Sequence, residues 1–377
     1  MTICVDIVTV ADPPTYSLEV AHRLRELADC RLLVSKSYFQ SQVGMAYRLL
    51  DHPLRVALAR RRGALLHIDS QSLAYLSAYP LSPPIVVTCL DMVTFLPEFD
   101  DPSYVSRNGV VDRAYYKLLM RGLRRATRLV AISNFVKSTL MDLGFNDDAV
   151  VVVPMGVDLR VFHPRGPSEL LPVRSAFGIP DSKRIVLFVG SEHPRKNIEK
   201  LFRAFALLSD LSVVLIKVGA PRQPQRAKFQ RLAKTLGIQD QVLFLDRVSE
   251  SILPLLYSVA DAFVLPSLHE GFGIPPLEAM ASGTPVAVSN LTSLPEVAAD
   301  AALYFDPNST REIAAALRTI LTNAHLRDEL KIRGLERATL FPWMRTLKGL
   351  LNSYERAIAQ SGGSPPGRAT TRRFEVP

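Results

Sequence analysis

A chain of 377 residues is too long for one ordinary hydrophobic core and suits two domains; 48% hydrophobic and 21% charged residues is the balance of a folded globular protein. Its three cysteines, Cys4, Cys30 and Cys89, are too scattered for a disulfide framework or a CxxC metal site, which points to a reducing compartment, and no apolar run reaches the roughly 20 residues of a membrane span. The net charge of +9 favours an anionic partner without choosing among phosphate, nucleic acid and an acidic lipid surface.

Residues 1–10 lack a charged leader and a cleavage site, so they read as a first strand and not as a signal peptide. Further strands are expected at 31–34, 64–68, 85–88, 128–132 and 150–154, with helix-period segments such as 18–28 and 134–143 between them. A second series opens at 184–189 and continues at 211–218, 242–245, 262–265 and 285–288. Short apolar runs alternating with helical stretches imply parallel sheets built from βαβ units, and two series imply two Rossmann-like domains. The segment 163–183 carries four prolines and no long apolar run, as a linker with a short helix would. Residues 361–377, rich in Ser, Gly, Pro and Arg, read as a disordered tail.

The segment 262–307 is the most informative. Glu270 falls in a loop after a strand, and Glu278 lies eight residues on, inside the next helix. Between them Gly271 and Gly273 allow close approach of a ligand to the backbone, and Pro275 and Pro276 suit the first turn of a helix. The dipole and amides of that helix would face the crevice at the strand's carboxyl end, a favourable place for phosphate, and Gly283 supplies the stop. Two glutamates at this spacing are ordinarily solvated helix charges; the Gly-Phe-Gly and Pro-Pro context is what marks this pair.

The run from Glu270 to Val286 resembles the Glu-x7-Glu signature of retaining, nucleotide-sugar-dependent glycosyltransferases of the GT-B fold, the group 1 or family-four type. The likeness continues through Ser293-Leu294-Pro295-Glu296-Val297 and Asp306-Pro307, and through the Phe188–Ile198 stretch that opens the second series. Weaker landmarks are Ala131-Ile132-Ser133-Asn134-Phe135, Gly156-Val157-Asp158 and Phe341-Pro342-Trp343. The resemblance implies two Rossmann-like, doubly wound parallel-sheet domains facing an inter-domain cleft: an acceptor-side domain at 1–164, a donor domain at 165–340, and a C-terminal helix at 341–360 crossing back to the first. It implies that Arg195 and Lys196 neutralise the leaving nucleoside diphosphate, where Gly190 lets it approach, and that Glu270 holds the sugar near its reacting face. Glu278 would bind the ribose hydroxyls, and the amides of Gly271, Phe272, Gly273 and Ile274 would line the sugar and phosphates. The co-substrate is then a nucleotide-diphosphate sugar, with a lean to mannose, and neither cofactor nor metal is expected. The bland reading of Arg195 and Lys196 is a surface pair, yet cations at a helix start oppose the dipole, which favours function.

The first half departs from the family pattern. No glycine occurs in 10–17, Leu90 stands where a histidine is usual before Asp91, and Met155 replaces an asparagine before Gly156. Asp91 and His67 are the acceptor-side candidates, although a histidine at a strand end is more often a packed residue than a catalyst. Arg113, Lys117, Arg121 and Arg124 share one face of a helix whose Tyr115, Tyr116, Leu119 and Leu123 turn elsewhere, and Arg55, Arg60, Arg61 and Arg62 form a second cluster. Either is a solvated face or a contact with an anionic membrane where lipid-linked acceptors reside; no aromatic-interleaved platform for nucleic acid accompanies them. The leading expectation is a cytoplasmic transferase, peripheral at the inner membrane face, acting on a glycan or lipid-linked acceptor. A sugar-nucleotide epimerase of the same fold and a non-catalytic nucleotide-sugar-binding subunit are the alternatives. A dehydrogenase is disfavoured, since no GxGxxG follows the first strand.

Overall fold

The computed structural model describes residues 3–10, 15–35, 52–81, 84–95 and 110–362, so the glycine-free loop after the first strand and most of the tail lie outside the described residues. The chain divides into two units, one formed by Met1–Pro154 with Met344–Pro377 and the other by Met155–Trp343. The divisions fall at 154 and 343, where the sequence suggests 164 and 340, and hydrogen bonds explain the shift. Val157 donates to the Phe341 carbonyl at 2.9 Å and bridges in parallel to Pro342, and Ser258 donates to the His163 carbonyl at 3.1 Å. Both bonds hold 155–164 to the second unit.

The first unit carries a six-stranded parallel sheet in the order β2-β1-β3-β4-β5-β6. Its strands are β1 (Cys4–Val10), β2 (Asp29–Ser35), β3 (Leu65–Ile68), β4 (Ile85–Cys89), β5 (Arg128–Ala131) and β6 (Val150–Val152). The interior positions Val5, Ile7, Val8, Ile68, Val86 and Val87 are buried, as strands covered on both faces require. The helix Val110–Arg125 turns Tyr115, Leu119 and Leu123 inward over the 3₁₀ run Gln71–Ala78. There Gly122 lies so close to the Ala74 carbonyl that a Cβ would stand 1.8 Å from its oxygen, so only glycine permits the contact. The Arg60–Arg62 cluster is partly structural: Arg61 reaches Asp6 at 2.9 Å and Asp29 at 2.7 Å, binding the starts of β1 and β2 together. The helix Trp343–Gln360 completes this core, burying Leu347, Leu350, Tyr354 and Ala357. Its Thr346 donates to the Pro154 carbonyl at 2.8 Å.

The second unit carries six parallel strands in the order β12-β11-β10-β7-β8-β9. They are β7 (Arg184–Val189), β8 (Val213–Val218), β9 (Val242–Leu245), β10 (Ala262–Leu265), β11 (Val286–Ser289) and β12 (Ala302–Phe305). The last of these was not among the expected strands; its Ala-Leu-Tyr-Phe run is only four residues long and follows a 3₁₀ turn. Every residue of β10 is fully buried, and so are Ile185 to Phe188 of β7. The short helix expected within 163–183 is Pro167–Ala176, which lies against the helix Leu253–Val259.

Candidate active site

In the second sheet β7 and β10 are neighbours, and strand order runs away from them in opposite directions. The carboxyl ends of such a pair flank a crevice between diverging connections, the usual ligand site of an open parallel sheet. Both loops that carry the sequence candidates leave these two ends.

After β7 the chain makes the 3₁₀ turn Pro194–Lys196 and enters the helix Ile198–Ala206 through Asn197, whose φ is +57°. Asparagine tolerates this left-handed geometry better than most residues. Its amide donates to the Pro266 carbonyl at 3.1 Å and to the Pro307 carbonyl at 2.8 Å, and the Leu268 amide donates to the Arg195 carbonyl at 2.8 Å. The two loops are thereby fixed to one another by backbone acceptors.

On this frame three charged groups meet. Lys196 Nζ donates to Glu270 Oε1 at 2.5 Å, Ser267 Oγ donates to the same oxygen at 2.6 Å, and Arg195 Nη1 reaches Glu270 Oε2 at 3.2 Å. Arg195 also donates to the His269 carbonyl at 2.9 Å. Lys196 and Glu270 are 7% and 6% exposed, and Arg195 is half-buried. Burial by itself would raise the Glu270 pKa, but the charges of Lys196 and then Arg195 outweigh it and hold the carboxyl at about 2. The Glu270 amide donates to Thr292 Oγ1 at 3.1 Å, and Ser293 Oγ lies 2.9 Å from the carbonyls of both Glu270 and Phe272. Thr292 sits at φ +60°, a strained geometry for a β-branched residue.

The loop then turns into the helix Ile274–Ala281 at Gly273, whose φ is +110° and where a Cβ would stand 2.8 Å from Leu294. Pro275 and Pro276 occupy the first turn as expected, and Gly283 follows the helix end at φ +74°. Gly271 and Phe272 are buried, and the Phe272 ring is set edge-on to Phe341 at 5.7 Å, so its side chain serves the core. Glu278 projects from the helix with Oε2 accepting the Tyr257 hydroxyl proton at 2.8 Å. Its surroundings are apolar, and burial raises its pKa to about 7 against the opposing effect of that hydrogen bond.

Arg195, Lys196 and Glu270 are thus brought together, and Glu278 stands on the helix that leaves the same loop. Gly190 ends β7, but its amide is committed to the Val218 carbonyl at 2.9 Å, so what it contributes is the missing side chain and not a spare donor. The acceptor-side candidates lie in the first unit. His67 is fully buried, Nε2 bonded to Thr88 Oγ1 at 2.8 Å and Nδ1 to the Tyr354 hydroxyl at 2.9 Å, and burial lowers its pKa to about 3. With both ring nitrogens engaged it is a strut between β3 and the last helix, and it cannot hold an acceptor. Asp91 accepts from Gln71 at 3.1 Å and caps the turn at Val93 at 3.3 Å, which leaves it half-buried and structural in this state.

Sequence reading missed Asn197, Ser267, Thr292 and Tyr257, small or aromatic residues whose part is to aim others. It also missed a buried cluster behind the β7 loop, in which Glu192 accepts from Lys217 Nζ at 2.9 Å, from Arg226 and from the Arg222 amide at 2.8 Å. Lysine 217, flanked by Ile216 and Val218 within an apolar strand, was its one visible signal.

A doubly wound sheet with paired cations and a carboxylate at its switch point is an arrangement suited to a phosphorylated ligand. The chain belongs to the group 1 glycosyltransferases: a family model described as "Glycosyl transferases group 1" matches residues 172–337, and one described as "Glycosyltransferase Family 4" matches residues 4–161. O-antigen chain mannosyltransferase B of Escherichia coli is 32% identical over 82% of this chain and 79% of its own length. The serotype-specific mannosyltransferase WbdA of Escherichia coli is 28% identical over 83% of this chain, which spans only 39% of WbdA. Among solved structures, HepE of Anabaena in complex with UDP and glucose superposes with a TM-score of 0.79 at 18% identity, covering 94% of this chain and 99% of HepE. The two sheets therefore form the GT-B pair of Rossmann-like domains, and the chain is a glycosyltransferase with mannosyltransferase-like relatives.

Proposed function

We propose that this chain transfers a hexose, mannose by preference, from a nucleoside-diphosphate sugar to a glycan or lipid-linked acceptor, with retention of configuration and without a metal. The observation that carries the reading is the meeting of Lys196 and Arg195 with Glu270 at the β7–β10 switch point. As the bond from the anomeric carbon to the diphosphate oxygen lengthens, negative charge collects on the departing phosphates, and two fixed cations in a low-dielectric pocket stabilise it. Glu270 holds those cations in place before the donor arrives. A carboxylate already bonded to a lysine, an arginine and a serine is a poor nucleophile, which supports front-face attack by the acceptor hydroxyl over a covalent glycosyl intermediate. The mannose preference is supported by the two mannosyltransferase relatives, and the nucleotide donor by the UDP held in HepE.

No described helix is long and apolar enough to cross a membrane. A cytoplasmic position with peripheral contact to an anionic inner membrane face is supported by the helix Val110–Arg125. Arg113, Lys117, Arg121, Arg124 and Arg125 are exposed on it, and none has an ion-pair partner among the described residues. Beside it runs a groove of about 800 Å³ that sets Lys117, Arg121, Arg124 and Arg125, with the one acid Asp142, against Tyr116, Met120 and Leu143.

The test is a thermal-shift panel of nucleotide sugars followed by transfer assays with and without a chelator. One donor class should raise the melting temperature, transfer should survive chelation, and the product should keep the donor's anomeric configuration by NMR. Lys196→Ala should cut turnover about 100-fold or more. Unchanged turnover in both Lys196→Ala and Arg195→Ala would overturn the assignment, and free interconverted sugar nucleotide without acceptor would point to an epimerase.

A further inference from the structure

The two oxygens of Glu278 are not equivalent. Oε2 takes the Tyr257 hydroxyl proton at 2.8 Å, while Oε1 takes no hydrogen bond from any described residue and the residue remains partly exposed. Tyr257 itself is fully buried, its ring wedged between Phe162 and Phe263 with centroids 5.8 Å from each. Its carbonyl is fixed from two sides, by the Thr284 hydroxyl at 2.5 Å and the Ala260 amide at 3.1 Å. A phenol held at ring and backbone has one direction in which to send its proton, and that direction is Glu278.

We infer that Tyr257 is a positioning residue that keeps Glu278 ionised and turns its open oxygen toward the ribose hydroxyls of the donor, so that it sets both the strength and the ribose selectivity of nucleotide binding. This rests on the reading of Glu278 as the ribose ligand. Burial favours the neutral carboxylic acid, and a neutral acid is a weak acceptor for two hydroxyl donors. Among the described residues, the hydrogen bond from Tyr257 is the one opposing influence on Glu278. The elements packed around it supply no other: β10, β11 and the helix Leu253–Val259 carry no charged side chain. The helix Ala324–Thr339 approaches through Gly334 against Met280, and its Arg337 is committed to the Val297 and Glu296 carbonyls at 2.8 and 2.7 Å. Glu296, the acid on the helix Leu294–Ala298, is half-buried and adds nothing to the balance.

The experiment is calorimetric titration of the full chain with GDP, UDP and their 2′-deoxy forms from pH 6 to 9, for the wild type, Tyr257→Phe and Glu278→Gln. The nucleotide that binds should do so about tenfold more weakly to Tyr257→Phe near pH 7, should recover toward wild-type affinity at pH 9, and should lose its preference over the 2′-deoxy form. A loss of the same size at every pH would assign Tyr257 a packing role and overturn the inference. Wild-type affinity and pH profile in Tyr257→Phe, with weakened binding in Glu278→Gln, would overturn it while leaving the ribose reading intact. Unaltered binding in Glu278→Gln would remove the ribose reading itself. Should Tyr257→Phe fail to fold, the wild type decides: its affinity must fall on acidification through about 7 and Glu278→Gln must abolish that fall, and a profile shared by the two proteins overturns the inference.

Discussion

Two glutamates eight residues apart have their pKa values displaced in opposite directions, and each makes a different demand on stability. Glu270, with its pKa pulled below the usual 4.5 to about 2, stabilises the fold above pH of about 4.5, and that contribution disappears as pH falls toward 2. Glu270→Gln leaves two partly buried cations without their carboxylate and should lower stability at pH 7 by about 3 kcal/mol, read by denaturant titration, with the difference shrinking as pH falls through about 2. Glu278 works the other way. Its raised pKa of about 7 means that the folded chain keeps a proton the unfolded chain has lost, so stability falls as pH climbs from about 4.5 to about 7. Glu278→Gln should therefore raise the melting temperature at pH 8 and leave it nearly unchanged at pH 4.

Among the elements, the helix Val110–Arg125 carries a stripe of like charges that destabilise one another at i,i+4 spacing, in contrast to the Arg203–Glu199, Arg165–Glu169 and Arg333–Glu329 pairs on other helices. The double substitution Arg121→Glu, Arg124→Glu should abolish sedimentation with anionic vesicles while leaving the nucleotide thermal shift intact, since each cation near such a surface is worth about 1 kcal/mol. The helix Trp343–Gln360 is held differently, through Tyr354 and the buried His67. Tyr354→Phe strands the imidazole Nδ1 and should cost about 1–2 kcal/mol by denaturant titration. The sequence shows the faces of the helix Val110–Arg125, because a 3.6-residue period separates Tyr115, Leu119 and Leu123 from the cations. It does not show the partner of His67, which lies 287 residues away in the chain. For the same reason Arg61 reads as one more surface cation until Asp6 and Asp29 are seen beside it. Eleven strands were legible as short apolar runs, and the Glu270 loop as glycines and prolines in order, because both signals are local. Asn197, Thr292 and Tyr257 were not, because their roles exist only once separate loops converge.

On the scale of the whole molecule, the chain crosses between its units twice, at 154 and at 343, and the last helix supplies core residues to the unit that the first strand begins. Removing 344–377 should therefore unfold the first unit, exposing the surface around Val153 and Pro154, while 155–343 keeps a cooperative transition of its own. Differential scanning calorimetry separates the outcomes: loss of one transition with retention of nucleotide-induced stabilisation in the other, against loss of both, which would tie the second unit to the first.

The returning helix also sets the order in which the two units become complete during synthesis. Residues 3–154 are synthesised first yet stay short of a complete interior until 344–360 follow, and the whole of 155–343 precedes that segment in the chain. The unit formed by 155–343 is thus the first to have its whole chain available, and the unit synthesised first is the last to be complete.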